Sequence, residues 1–236
     1  MTDVVVLYAT PHQDDEMLFG CASMRTMLRA GHRVRVLLCT TGQNSGIRPA
    51  TGLSIQDFVA ARDDEYRRAC RRVGVRFEDI LFGEDLGETR TEDGQLTVPA
   101  AEAMLRAALA DCAAPGVDVW VKTYSHLQPS GETQRHLDHL HLGQAAVNLL
   151  QAGEIMPNGL RGYAEPWLLD PGQTIWAGRK LMTETVPASD AALVRAALDE
   201  YKITDPFGFK IGVGYQSVNE AFDLVRTQLV SHYHVP

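Results

Sequence analysis

The chain has little that would serve a nucleic-acid or membrane surface. It carries 22 Lys and Arg against 30 Asp and Glu, for a net charge of −8. No block of basic residues occurs, which argues against nucleic acid or an anionic membrane as the main partner. No apolar run reaches the length of a membrane span; residues 4–9 are too short even for a signal-peptide core, and no basic region precedes them. The four cysteines, Cys21, Cys39, Cys70 and Cys112, form no C-x-x-C pair. Set among apolar neighbours, they read as buried free thiols and not as disulfides. Repeats, linkers and low-complexity stretches are missing, and no G-x-G-x-x-G follows the first apolar run. A dinucleotide-binding module therefore lacks its phosphate loop. The expectation is a soluble, cytoplasmic, globular protein of 236 residues. It should form a single domain, with a core over about residues 1–156 and a C-terminal extension over about 157–236.

Strand and helix patterns alternate through the core. Residues 4–9, β-branched and apolar, read as a buried parallel strand. A helix over 17–30 stops at Gly31, and a second strand covers 32–40. A helix over 57–73, a short strand over 78–82, a helix over 99–112, a strand over 117–124 and a helix from about 138 to 150 follow. This is an α/β, Rossmann-like pattern: a mainly parallel sheet flanked by helices, with right-handed crossovers. Beyond residue 157 the pattern loosens. Strands over 162–169 and 173–177 and helices over 189–201 and 220–229 are expected to complete the sheet and wall one side of a crevice.

Two polar clusters sit where ligands bind in such folds, beyond the carboxyl ends of strands. In the first, Pro11-His-Gln-Asp-Asp-Glu16, His12 and a carboxylate three residues later can close on one metal ion. The neighbouring carboxylate then points elsewhere and is free to handle protons. In the second, His136-Leu-Asp-His139, two histidines three apart face the same way at a helix start, whereas His141 lies roughly 200° away from His139. One of the pair can bind metal while the other stands beside it. Asp138 can cap the helix or orient a histidine through its second ring nitrogen. Two histidines and a carboxylate leave coordination positions open, as catalytic sites require. Such a set suits zinc and also ferrous iron. A base at Asp14 and a proton donor at His136 would complete a kit for amide hydrolysis. A two-metal phosphoesterase would need more bridging carboxylates and histidines than these clusters supply.

The first cluster resembles the P-H-P-D-D-E signature of the PIG-L/LmbE-like zinc-dependent N-acetylglucosaminyl deacetylases, and the second resembles their H-P-D-H. Thr41-Gly42 with Gly46, and Arg62-x-x-Glu65 leading to Ala69 and Gly74, support the resemblance over residues 4–150. It implies that His12, Asp15 and His139 bind zinc, that Asp14 is the general base, and that His136 assists at the oxyanion or the leaving amine. It further implies a substrate contact at Arg62, with Asp85, His126 and Gln134 as further candidates around the crevice and Asp138 behind the metal ligands. Gln134 stands where some members carry an oxyanion-assisting tyrosine. Gln13 and Leu137 replace the prolines of the two signatures, which touches loop rigidity more than chemistry. The family's common H-x-S-Q near the C-terminus has no clear counterpart. The implied activity removes the N-acetyl group from a small amino-sugar conjugate in thiol-cofactor or secondary-metabolite biosynthesis. Alternatives are an amidase for another acyl group or thiol conjugate, or a non-catalytic relative. Assembly into a homo-oligomer is left open.

Overall fold

The computed structural model describes residues 3–128, 135–169, 173–205 and 210–236. β1 (Asp3–Thr10) and α1 (Asp15–Arg29) lead to β2 (Arg33–Leu38). A single turn, α2 (Arg48–Thr51), precedes the long α3 (Ile55–Val73) and the short β3 (Ile80–Phe82). α4 (Val98–Cys112), β4 (Val117–Tyr124), α5 (Leu137–Gln151) and β5 (Leu160–Tyr163) continue the alternation. The C-terminal part holds β6 (Ile175–Trp176), β7 (Arg179–Lys180), β8 (Met182–Thr185) and α6 (Ala191–Asp199). β9 (Thr204–Asp205), β10 (Lys210–Ile211), α7 (Val213–Ser217), α8 (Asn219–Gln228) and β11 (Val230–His234) complete it.

Seven strands form one sheet in the order β3-β2-β1-β4-β5-β11-β8. The first five are parallel; β11 runs antiparallel to both β5 and β8. The extension thus completes the sheet. α1, α3, α6 and α8 cover one face, and α4 and α5 cover the other. Each face buries its own apolar cluster. β1, inside the sheet and covered on both faces, is therefore apolar without alternation, with Val5 through Thr10 all buried. Each fully buried Val, Leu or Phe there contributes about 1.5–3 kcal/mol.

The helix signals act as their chemistry dictates. Ser54 caps α3 by accepting from the Asp57 amide, and Gly74 ends it at φ +115°. Thr97 caps α4. Gly143 lets α5 lie against the end of β4, since a Cβ there would meet the Tyr124 carbonyl at 2.6 Å and the His126 amide at 2.7 Å. One expectation needs correcting. The strand expected over 162–169 ends at Tyr163, because Pro166 starts a tight turn over Pro166–Leu168. Arg62 and Glu65 do not pair with each other: Glu65 accepts from the amides of Val213 and Gly214 at 2.7 and 3.0 Å, tying α3 to the start of α7. Burial pushes the Glu65 carboxyl up to about 7.

Candidate metal centre

β1 and β4 are neighbours whose connections leave in opposite directions, so a crevice opens beyond their carboxyl ends. It encloses about 570 Å³. The segment after β1 delivers His12, Asp14 and Asp15; the start of α5 delivers His136, Asp138 and His139. The structure brings the two clusters into contact.

His12 Nδ1 lies 3.0 Å from Asp15 Oδ2 and 3.3 Å from His139 Nε2. His139 Nε2 is in turn 3.3 Å from Asp15 Oδ1. Donor atoms of these three buried residues all fall within 4.8 Å of one another. Each histidine presses its other ring nitrogen against a carboxylate: His12 Nε2 lies 3.0 Å from Asp138 Oδ2, and His139 Nδ1 lies 3.1 Å from Glu165 Oε1. That is the outer arrangement which fixes ring orientation around a metal ion. The donor set fits a divalent ion, with open positions as a catalytic site needs.

More residues hold this set than the sequence indicated. Tyr124, the last residue of β4, donates to Asp15 Oδ1 at 2.8 Å and stacks on the His139 ring at 4.0 Å. Arg135 grips Glu165 at 2.5 Å. Asp138 accepts from the amides of Gly94 and Leu96. Asp93 reaches His12 Nε2 at 3.1 Å and His136 Nε2 at 3.4 Å. Against the pull of burial, the hydrogen bonds from His12 and His136 hold Asp93 well below the usual carboxylate range. Burial opposes charge on His12 too, yet the Asp15 charge, helped by the ring's hydrogen bonds to Asp138, Asp15 and Asp93, raises its pKa well above the ordinary value. Asp15 is likewise held low, despite burial, by His139 and His12.

Asp14 stands beside the cluster in an unusual backbone state, φ +122°. Such a conformation costs about 1–3 kcal/mol in a non-glycine residue and persists only where its surroundings enforce it. Here its carbonyl accepts the first amides of α1, from Met17 and Leu18, and its own amide donates to Glu16 Oε2 at 3.1 Å. Arg62 Nη2 donates to Asp14 Oδ2 at 3.0 Å and to the Gln13 carbonyl at 2.6 Å, while Nη1 donates to the Gly42 carbonyl. Gly42, at φ +65°, makes room: a Cβ there would meet Arg62 Nη1 at 2.6 Å. Burial, partly offset by Arg62 and reinforced by Asp15, raises the Asp14 carboxyl to about 7. Gln13 replaces a rigid proline with hydrogen bonds, to the Thr41 carbonyl and to Asp63.

The remaining sequence candidates scatter. Arg62 lines the crevice, but its contacts go to Asp14 and two carbonyls. Asp85 does not reach the crevice: it is exposed, and its carboxylate accepts from the Phe82 amide at 2.9 Å to cap a short turn. The acid at that side is Asp93, brought in because Thr91 bridges to Thr40 and extends the sheet edge. His126 lies beside the His234 ring at 6.1 Å and is not one of the residues lining the crevice. Gln134 falls outside the described residues. His141 bonds the Leu96 carbonyl.

Residues 7–150 match a family model described as PIG-L, GlcNAc-PI de-N-acetylase. The chain belongs to the PIG-L family. No curated protein matches it by sequence, whereas solved structures share its fold nearly end to end. An N,N'-diacetylchitobiose deacetylase from Pyrococcus horikoshii superposes with a TM-score of 0.66 at 13% identity, covering 98% of this chain and 83% of that one. The zinc-inhibited form of a teicoplanin deacetylase gives 0.66 at 14%, covering 97% and 96%. A 4-carboxy-2-hydroxymuconate hydratase from Pseudomonas putida gives 0.54 at 14%, covering 98% and 94%. This PIG-L fold therefore occurs with different named chemistries, and the reaction has to be argued from the site. Among the described residues no helix is long and apolar enough to cross a membrane.

Proposed function

We propose that this PIG-L protein is a divalent-metal-dependent N-deacetylase that hydrolyses the acetamide of an N-acetylglucosamine-type conjugate to acetate and free amine. The observation that carries the reading is the buried His12–Asp15–His139 set, whose outer ring nitrogens both meet carboxylates, with Asp14 beside it. A divalent ion, zinc or ferrous iron, held by these three residues supplies Lewis acidity, making water nucleophilic near neutral pH and polarising the amide carbonyl.

The chain's own groups divide the proton work. Asp14, with a carboxyl near 7, suits a general base that takes a proton from attacking water near neutral pH. Tyr124 and Glu165 hold Asp15 and His139 in place. His136 is half-exposed, with its ring 4.5 Å from that of His12. The Asp93 carboxylate lies 3.4 Å from its Nε2 and orients the ring from which a proton would pass to the departing amine. The test is acetate release from N-acetylglucosamine conjugates. Release should stop with chelator and return with zinc or ferrous iron; fully metal-loaded protein that releases no acetate from any conjugate would refute the assignment.

A further inference from the structure

Among the described residues, the guanidinium groups that line the crevice are already paired within the protein. Four carboxylates among the described residues line the crevice, Asp14, Asp15, Asp93 and Glu165, against two guanidinium groups, Arg62 and Arg135. Both arginines turn toward protein. Arg62 serves Asp14 and two carbonyls; Arg135 serves Glu165 and the carbonyls of Ser125 and Leu127. They are only 3% and 5% exposed, and their remaining donors, Arg62 Nε and Arg135 Nη2, are shut away from solvent. A phosphate group is recognised by free guanidinium, ammonium or clustered amide donors. Among the described residues lining the crevice, no free guanidinium or ammonium group is offered to it.

Leu18, Trp167, Leu168 and Val218 add apolar surface to the crevice lining. Trp167 stays 38% exposed. A single exposed tryptophan is ordinary on a protein surface; this one continues the reaction centre. It follows Glu165 by two residues, and Glu165 touches His139 at 3.1 Å. Chain geometry keeps the two Cα atoms within about 7 Å. Pro166 opens the turn that carries Trp167 and stiffens it.

We infer that the crevice takes a neutral N-acyl amino sugar whose anomeric substituent is apolar or aromatic and packs on Trp167, and not one linked through phosphate. The inference rests on the deacetylase reading for the position of the acyl group. An aromatic platform adds stacking to area burial, worth at least about tenfold in affinity for an aryl over a hydroxyl substituent.

The test measures binding and turnover separately on metal-loaded protein. Calorimetry compares phenyl β-glucosaminide, glucosamine and glucosamine 1-phosphate; acetate release compares their N-acetyl counterparts. The phenyl compound should bind at least tenfold more tightly than the other two. Trp167→Ala should erase that advantage through KM, with kcat little altered, and Trp167→Phe should restore most of it. Equal or tighter binding of the 1-phosphate would overturn the inference and leave the reaction class untouched. The expected binding order without acetate release from any compound would sustain the inference and sink the deacetylase reading.

Discussion

Replacing Arg62 with methionine should move the pH dependence of the reaction by an amount the geometry fixes. Arg62 Nη2 lies 3.0 Å from Asp14 Oδ2, and both side chains are buried. At an effective dielectric of about 20, such a contact is worth about 5 kcal/mol before desolvation is counted. Opposite charges at this range lower a carboxyl by about 1–3 units, or about 1.4–4 kcal/mol. Asp14 sits near 7 with Arg62 present, so without it the carboxyl should titrate at about 8–10. A general base works deprotonated, so kcat/KM rises with pH through its pKa. The acid limb of the profile should therefore shift upward by about 1–3 units, with activity near neutrality falling and recovering at alkaline pH. Removing Arg62 also leaves a buried charge and two carbonyls unpaired, a cost of about 3–5 kcal/mol in stability, so thermal melts must accompany the assay. Arg62→Lys retains the charge, and its limb should move by less than about one unit. An Arg62→Met enzyme that is folded and active with an unmoved limb would refute Arg62 as the group that tunes Asp14.

Glu165→Gln keeps the shape but weakens the carboxylate behind His139. Metal affinity, read by competition with a chromogenic chelator, should fall about 10–100-fold, and unchanged affinity would remove Glu165 from the site. His139→Ala should abolish metal binding in the same titration; a full complement of ion would contradict its role as a ligand. His234 is buried against Ser125 Oγ at 2.7 Å, and burial lowers its pKa to about 4. Below the unfolded value of about 6.5 the unfolded chain takes up the proton and the folded chain does not, so this group costs stability as pH falls from about 6.5 to about 4. Screening reduces the full shift to about 2 kcal/mol across that window. Denaturant melts of His234→Gln should show a shallower loss of stability between those pH values than the parent protein, and parallel curves would count against the assignment.

The two thirds of the chain before residue 157 were legible because their signals are local. Val4 to Ala9 is a buried strand in sequence and in structure, and both polar clusters fall at strand ends, where a parallel sheet must place its crevice. The extension was harder to read. β11 enters the sheet with Ser231 and His234 as its buried residues, so no apolar alternation announces it. The read strand beyond Tyr163 hid a proline-led turn, and with it Glu165 and Trp167. Among the acids, Asp85 was singled out and Asp93 was not, because what brings Asp93 to the crevice is the Thr40–Thr91 bridge, a contact between distant parts of the chain. Tyr124 gave a positional signal as the last residue of a strand at the crevice, but its hydroxyl's partner could be known only from the fold. Arg62 was expected to meet substrate; its place opposite Asp14 follows from α3 packing beside the loop after β1.

Metal content and acetate release, measured on one sample of Asp14→Asn, test the central claim most directly. Asp14 is placed beside the ion's ligands and not among them, as the base. The account predicts one ion per chain, as in the parent protein, with turnover lower by about 10²–10⁴-fold. Near-normal turnover would remove Asp14 from the base role, and loss of the ion would show that the ligand set is drawn wrongly.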